Sequence, residues 1–417
     1  MQAFATNSRE PARMQQIEIS LLALLAIAAI VAIVSHRIDM PYAIGLVLAG
    51  LVLGNVTSFS APQLTLELLF LVVLPGLLFE GAFQLDFAAF WRARYSILTL
   101  AVPGLLASTG LTALFLWAGV DRLQPGSLSL MEALTFGALI SATDPISVLS
   151  LFRSTGVDTR LCMMVEGEAL FNDGTAVVLF TVVLGMATGA QFGAGAAASE
   201  FARIAGLATI VGAVLGSAAG LLTRSIDDPM VEITVTLLSA YGVFIVAQLL
   251  GLSGVIACVT AGMIMGTWGA RGMCSATRVA LGSFWTYVSF LLNSFVFLLI
   301  GTQIHLAILL HYIPEILIGW VAITFSRAVV VYAKFAIMRL AKSTDFPLSW
   351  ATVLSWGGLR GSLSMVLALA LPVTLPHREL ILHTTYGVVL ITLLLQGLTL
   401  KPLVRHLQLG NAGSNGR

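Results

Sequence analysis

About thirteen apolar stretches, most of them roughly 18 to 25 residues long, recur from Ile17 almost to the C-terminus, and at about 1.5 Å per residue each is long enough to cross a bilayer core. They centre on Leu25, Val47, Val73, Leu106, Ile140, Val178, Val211, Val235, Val259, Val296, Thr324, Val366 and Leu390; the second, Pro41 to Leu53, is the shortest. Over 417 residues the chain is 58% hydrophobic and only 10% charged, with a mean hydropathy of +0.97. No soluble globular domain carries that balance over such a length, so the chain reads as an all-α integral membrane protein in contact with lipid on most sides.

A net charge of +1 gives no reason to expect nucleic-acid binding, but the placement of the basic residues is informative. With the N-terminus outside and thirteen spans following, thirteen of the twenty-one Lys and Arg fall in cytoplasmic segments. Five (Arg9, Arg13, Arg122, Arg203, Arg378) fall outside, and three (Arg327, Lys334, Arg360) fall within helices. That is the positive-inside pattern, and it puts the C-terminus in the cytoplasm. The first span is too long for a signal peptide, follows acidic Glu10 and Glu18, and ends in "SHRIDM". Cys162, Cys258 and Cys274 form no paired motif, which implies neither a disulfide nor a metal centre. The chain ends soon after the last span, so no appended regulatory domain is expected.

Two spans are interrupted. In "SATDPIS" (141–147) the apolar flanks Met131–Ile140 and Pro145–Phe152 are each about half a membrane thickness, which favours one broken span over two separate ones. Thr143 and Asp144 stand before Pro145 as the cap of a half-helix, with the acid facing orphan N–H groups and the positive end of the helix dipole. The second break is in "SWGGLRGSLSMVLALALP", where Gly357, Gly358 and Gly361 surround Arg360. The breaks fall in the fifth and twelfth spans, and an offset of seven reverses orientation in the membrane. That is the signature of inverted repeats in secondary transporters, here spans one to six and eight to thirteen. No clear sequence self-similarity accompanies the placement.

The sixth span, "MMVEGEALFNDGTAVVLF", holds Glu166, Glu168, Asn172 and Asp173. Each ionised group in hydrocarbon costs at least about 2.5 kcal/mol, so an acid there wants a cation, a proton or a watery cavity. Glu166 reads as interfacial, near the cytoplasmic mouth. Glu168 and Asn172 share a helix face, whereas Asp173 is rotated about 100° from Asn172. Arg327, central in "ITFSRAVVVYAKF", is the natural partner of Glu168, and the two are read as a structural ion pair. Asp173 has no evident cation. Burial without one favours the protonated carboxyl, which suits a group alternating between a proton and a metal ion. Asp144 offers a second charged oxygen; Thr143, Asn172 and carbonyls freed by the break offer neutral ones, a donor set for hard monovalent cations rather than transition metals. If ionised Asp173 cannot cross the barrier between two access states while its protonated or cation-bound forms can, competition for it is antiport.

"SATDPISVLSLF", "EGEALFNDGTAVVLF", "SRAVVVY" and "GLRGSLSMVLALALP", taken in this order, resemble the NhaP and NHE type of monovalent cation:proton antiporters, and the similarity covers nearly all of the chain. The resemblance implies an NhaA/NhaP-like fold of about thirteen transmembrane helices in two inverted six-helix repeats, with crossing broken helices. A dimerisation part (about 17–90 and 228–303) would face a mobile core (about 96–188 and 313–402) across a linker helix (about 201–223). Residues 1–16 would be an external segment, 17–402 the antiporter domain and 403–417 a short cytoplasmic tail. The implied partners are a second copy of the chain, the bilayer, a proton and a cation: sodium first, with lithium or potassium open. No cofactor is implied, only transported ions. The implied setting is a bacterial inner membrane and a role in pH homeostasis. The family's ion site falls on Thr143, Asp144 and Asp173, its buried ion pair on Glu168 and Arg327, and Arg360 would balance helix C-terminal ends. The Asn172–Asp173 pair resembles the form that goes with electroneutral one-for-one exchange. Glu80, in "LPGLLFEGAFQLDF", matches an acid lining the ion cavity of some members, or is a helix-end glutamate. Ala169 departs from the family, since many members have a hydroxyl there.

Two other classes fit the sequence less well. An intramembrane protease would need a Gly-x-Gly-Asp signature, or a histidine at the depth of Ser253 in "GLSGV"; Asp173 is followed by its glycine, and all six histidines lie in loops or near helix ends, so "GLSG" reads as small-residue packing. A passive cation channel would need a repeated or oligomeric pore lining.

Overall fold

The computed structural model describes residues 9–56, 65–189, 193–224, 226, 228–340 and 346–410; Lys342 and Arg417, assigned above to the cytoplasmic side, lie outside these. Every described regular element is helical. In chain order they are α1 (Arg9–Arg37), α2 (Tyr42–Val56), α3 (Leu69–Gln84), α4 (Phe87–Leu123), α5 (Leu130–Ile140), α6 (Ile146–Thr155), α7 (Thr159–Ala187), α8 (Ala194–Thr223) and α9 (Pro229–Leu249). Then come α10 (Gly254–Thr267), α11 (Ser275–Gln303), α12 (Ile313–Leu340), α13 (Leu348–Trp356), α14 (Ser362–Leu369) and α15 (Arg378–His406). Taking α5 with α6 and α13 with α14 as single interrupted spans, the described residues make the thirteen expected crossings. The first helix begins at Arg9 rather than near Ile17.

The helix ends follow local chemistry. Ser129 and Glu132 form a reciprocal capping box at the start of α5. Asp158 and Asp228 cap α7 and α9, with Pro229 at the first position of the latter. The "GLSG" segment is a turn rather than a packing motif alone: Gly251 is left-handed (φ +67°), and the Ser253 hydroxyl accepts the Ile256 N–H at 3.3 Å to cap α10. Gly254 of the same segment does pack against the Phe244 ring. Among the described residues, three helices contain π turns, at Leu69–Val73 in α3, Leu100–Gly104 in α4 and Thr392–Gln396 in α15.

The repeat that placement alone suggested has a sequence trace that only the packing reveals. In α2, "AGLVLGN" (49–55) places Gly50 and Gly54 against the carbonyls of Leu298 and Thr302 in α11. In α10, "AGMIMGT" (261–267) places Gly262 and Gly266 against the carbonyls of Phe79 and Phe83 in α3. Both glycine pairs are four apart, both face partners four apart, and in both the two helices run parallel. The second and tenth spans thus pack as the ninth and third do, which is what an inverted six-helix repeat requires.

The two breaks cross. Between α5 and α6 the chain is unwound over 141–145, and between α13 and α14 over 357–361. There the Asp144 N–H donates to the Leu359 carbonyl at 2.8 Å. Four half-helix ends therefore meet in the interior.

Candidate functional site

Asp144 is nine-tenths buried and has two different oxygens. Oδ1 accepts the Ile146 N–H at 2.9 Å, capping α6, while Oδ2 is buried with no hydrogen-bond partner among the described residues. Gly361, in the facing break, is the reason the carboxylate fits: a Cβ there would stand 2.5 Å from both Cβ and Oδ2 of Asp144. Asp144 and Thr143 share a cavity of about 450 Å³ with Asp173 and Ala169 of α7, Glu80 of α3, and Ser289 and Asn293 of α11. Farther along its wall lie Glu166 and, at an exposed position, Arg153. The two acids expected at the ion site thus face one space from separate elements.

Asn172 does not share that space. Its Nδ2 donates to the Ser141 carbonyl (3.2 Å) and the Thr143 hydroxyl (3.1 Å), tying the unwound segment to α7, and it lies off the cavity wall beside Arg360, Glu168 and Arg327. Some carbonyls at the break are also engaged. Arg360, 2% exposed, points Nη1 at the oxygens of Ile140, Ser141 and Ala142 at 2.7, 2.6 and 3.3 Å. A charged donor on the last carbonyls of α5 opposes the negative end of that helix dipole and occupies the first two carbonyls of the break, those of Ser141 and Ala142.

Glu168 and Arg327 meet at 2.8 Å, and Arg327 Nε also donates to the Leu354 carbonyl at 3.0 Å, near the end of α13. The guanidinium lies against Gly358, where any side chain would overlap it. The pair stands behind the cavity and fastens α7 to the second broken helix.

Sequence reasoning passed over the α11 wall. Thr286, Ser289 and Asn293 all line the cavity, and Asn293 Nδ2 donates to Ser289 Oγ at 3.2 Å. The signal was present as three polar residues at helical spacing (i, i+3, i+7) on one face of an apolar span.

A buried, unwound crossing with two carboxylates open to a cavity and a separate buried ion pair belongs with a protein of known type. The profile of the family described as sodium/hydrogen exchanger, transmembrane, matches residues 23–406. The chain belongs to that family. Among relatives of this exchanger, the Na(+)/H(+) antiporter ApNhaP of Aphanothece halophytica is 40% identical over 373 residues, covering 89% of this chain and 70% of that one. The Na(+)/H(+) antiporter NhaH of Halobacillus aidingensis is 36% identical, covering 94% and 98%. The solved structure of the sodium proton antiporter MjNhaP1 from Methanocaldococcus jannaschii superposes with a TM-score of 0.77 at 21% identity over 94% of this chain and 99% of that one, a likeness of fold. The exchanger is a secondary transporter and not an enzyme, which disposes of the protease reading.

Proposed function

We propose that this exchanger trades protons for a monovalent cation, sodium first, by alternating access, with the two ions competing for Asp173 beside Asp144. The observation that carries the reading is the pair of carboxylates on one cavity wall, Asp144 with a buried oxygen that no group among the described residues satisfies. A negative oxygen in that position needs a proton or a cation before the cavity can close over it. Thr143 Oγ1 and the Asn293 and Ser289 side chains are among the neutral oxygens lining the same space, with Thr286, Ser150, Ser362 and Gln84. One titrating carboxylate exchanging one positive charge for another makes the cycle electroneutral. Asn172, held in neutral amide bonds away from the cavity, adds no second charge to it.

The cavity wall runs toward the end of the molecule where α6 stops, and Gly410 packs there on the Thr155 carbonyl, so it faces the same side as the C-terminal end of α15. By the distribution of Lys and Arg that side is the cytoplasm, and the conformation is inward-facing, in the inner membrane of a bacterial cell with a role in pH homeostasis. The cavity lies between α3 and α11 on one wall and the 141–145 break, α6, α7 and α14 on the other, which supports a division into a dimerisation part and a mobile core. The test is Asp173→Asn in everted vesicles or proteoliposomes. Proton-coupled sodium movement should vanish while the protein remains folded in detergent, and exchange at near-normal rate rejects the assignment.

A further inference from the structure

Where the two parts touch, the inverted repeat can be read residue by residue. After α1 the chain turns through Asp39 in the left-handed region (φ +57°), with the Ile38 N–H donating to the Val34 carbonyl and the Met40 N–H to the Ser35 carbonyl, both at 3.0 Å. After α9 it turns through Gly251 (φ +67°), with the Leu250 N–H donating to the Val246 carbonyl at 3.1 Å and the Leu252 N–H to the Ala247 carbonyl at 2.9 Å. The two turns are built alike. Five residues past each, an isoleucine of the next helix faces a glycine of the core: a Cβ on Gly397 of α15 would stand 2.8 Å from Ile44 Cδ1, and one on Gly174 of α7 2.8 Å from Ile256 Cγ1. Lys401, four residues past Gly397, is therefore the counterpart of Val178, four past Gly174.

Only one boundary carries charge at these equivalent positions. Lys401 pairs with Asp39, and among the ion pairs formed between described residues this one alone joins the two parts. Neither partner dangles: Asp39 sits in a hydrogen-bonded turn, and the Lys401 side chain is only 18% exposed. Lys401, with Arg405 and His36 behind it, holds Asp39 below the usual carboxylate range, so the acid stays ionised. At the other boundary Gly251 has no side chain, and Val178 lies in an apolar cluster with Val182, Ile204 and Ile256. Glu200 and Arg203, at that end of α8, pair with each other within their own helix. Interchanging the repeats of such a fold turns one access state into the other, so contacts common to both boundaries cancel and only unequal ones bias the equilibrium. In the interchanged state α15 lies on α2 as α7 now lies on α10, and Lys401 is drawn from the Asp39 turn toward Ile44.

We propose that the Asp39–Lys401 pair is a one-sided latch, which holds the exchanger in the access state seen here, with the cavity open at the α6 end, and breaks each time the core crosses to the other state. The proposal rests on the antiport reading and on the division into two parts, and adds what makes the two access states unequal. Neither residue touches the transported ion.

The experiment measures the sodium KM of proton-coupled exchange in right-side-out and in everted vesicles, which expose opposite faces. Each apparent affinity is reduced by the fraction of exchanger facing the other way, so the quotient of the two KM values, right-side-out over everted, follows the ratio of the two states. Asp39→Asn removes the charge and keeps a residue that tolerates the left-handed turn. It should lower the quotient about two- to fivefold, the range of an exposed ion pair, with thermal stability in detergent unaltered. Lys401→Gln should do the same and stands as the test if Asp39→Asn does not fold, whereas Lys401→Arg should keep the wild-type quotient. Choline chloride should lower the quotient of wild type and leave that of Asp39→Asn where it is. An unchanged or raised quotient in the neutral variants, or a fall for Lys401→Arg as large as for Lys401→Gln, overturns the latch. Wild-type vesicles that move no protons against sodium would overturn the antiport reading itself, a separate outcome.

Discussion

Removing one partner of the Glu168–Arg327 pair should cost far more than removing both. The side chains are 4% and 12% exposed and meet at 2.8 Å. Charge centres about 4 Å apart attract by about 4 kcal/mol at an effective dielectric constant near 20. Breaking such a pair on one side costs about 3–5 kcal/mol, because the survivor is left buried and uncompensated. Arg327→Ala should be the worse of the two, since it also orphans the Leu354 carbonyl that Nε satisfies, adding about 1 kcal/mol. A paired replacement, Glu168→Gln with Arg327→Met, removes both charges together and should recover most of the loss. The assay is thermal inactivation of the purified exchanger in detergent, arranged as a double-mutant cycle, with sodium KM read in proteoliposomes for every variant that folds. A coupling of about 2–4 kcal/mol with KM within about twofold of wild type is expected. Additive losses, or a KM that rises in step with the loss of stability, would refute the view that this pair holds the frame rather than the ion.

Two further outcomes follow from the cavity wall. Gly361→Ala drives a methyl to within 2.5 Å of Asp144 Oδ2, an overpacking of about 1–3 kcal/mol, and exchange in everted vesicles should fall at least tenfold as the carboxylate is displaced. Ala169 borders both the cavity and a void of about 10 Å³ shared with Asp144 and Glu168. Ala169→Ser supplies the oxygen this chain lacks there and should lower the sodium KM about fivefold, the equivalent of about 1 kcal/mol; an unchanged KM would mean that the hydroxyl turns into the void.

What could be read from the sequence was whatever breaks a strong local rule. An apolar run of bilayer length cannot be disguised, and an acid beside a proline inside one stands out because both are costly there. Glu168 could be matched to Arg327 because buried charges need partners and few were on offer. The surroundings of Asn172 and of the break's carbonyls were not legible for a different reason. Both are available as ligands on chemistry alone, and only the crossing shows that Asn172 is tied to Ser141 and Thr143 and that Arg360, more than two hundred residues away, engages the Ser141 and Ala142 carbonyls. The repeated "AGLVLGN" and "AGMIMGT" went unnoticed because their common content is two glycines and apolar filler. Their equivalence lies in what they touch.

The glycines also mark where the molecule can slide. Within the part built from α2, α3, α8, α10 and α11, five glycines face backbone, Gly50 and Gly54 on α11, Gly262 and Gly266 on α3, Gly212 on the Ala257 carbonyl, while Gly76 faces the side chains of Leu292 and Tyr241. Helices in van der Waals contact along their main chains cannot shift by a few ångströms without collision, which supports the proposal that this part stays rigid while the core moves. Across the boundary to the core, among the described residues, a Cβ added at a glycine would meet side chains rather than backbone: Leu170 Cδ1 at 3.6 Å from Gly81, Ile256 Cγ1 at 2.8 Å from Gly174 and Ile44 Cδ1 at 2.8 Å from Gly397. Tips of leucine and isoleucine can change rotamer and let the surfaces pass. The cavity opens along that same boundary. Gly266→Ala, whose methyl would overlap the Phe83 carbonyl oxygen, should therefore destabilise the protein in detergent by about 1–3 kcal/mol. Gly81→Ala, which meets an ordinary contact, should leave stability unaltered. Gly81→Leu should leave the fold intact yet lower kcat at least tenfold, by jamming one surface against the other. If Gly81→Leu exchanges ions at the wild-type rate, the core does not travel along this face, and the cavity reaches its other opening by some different route.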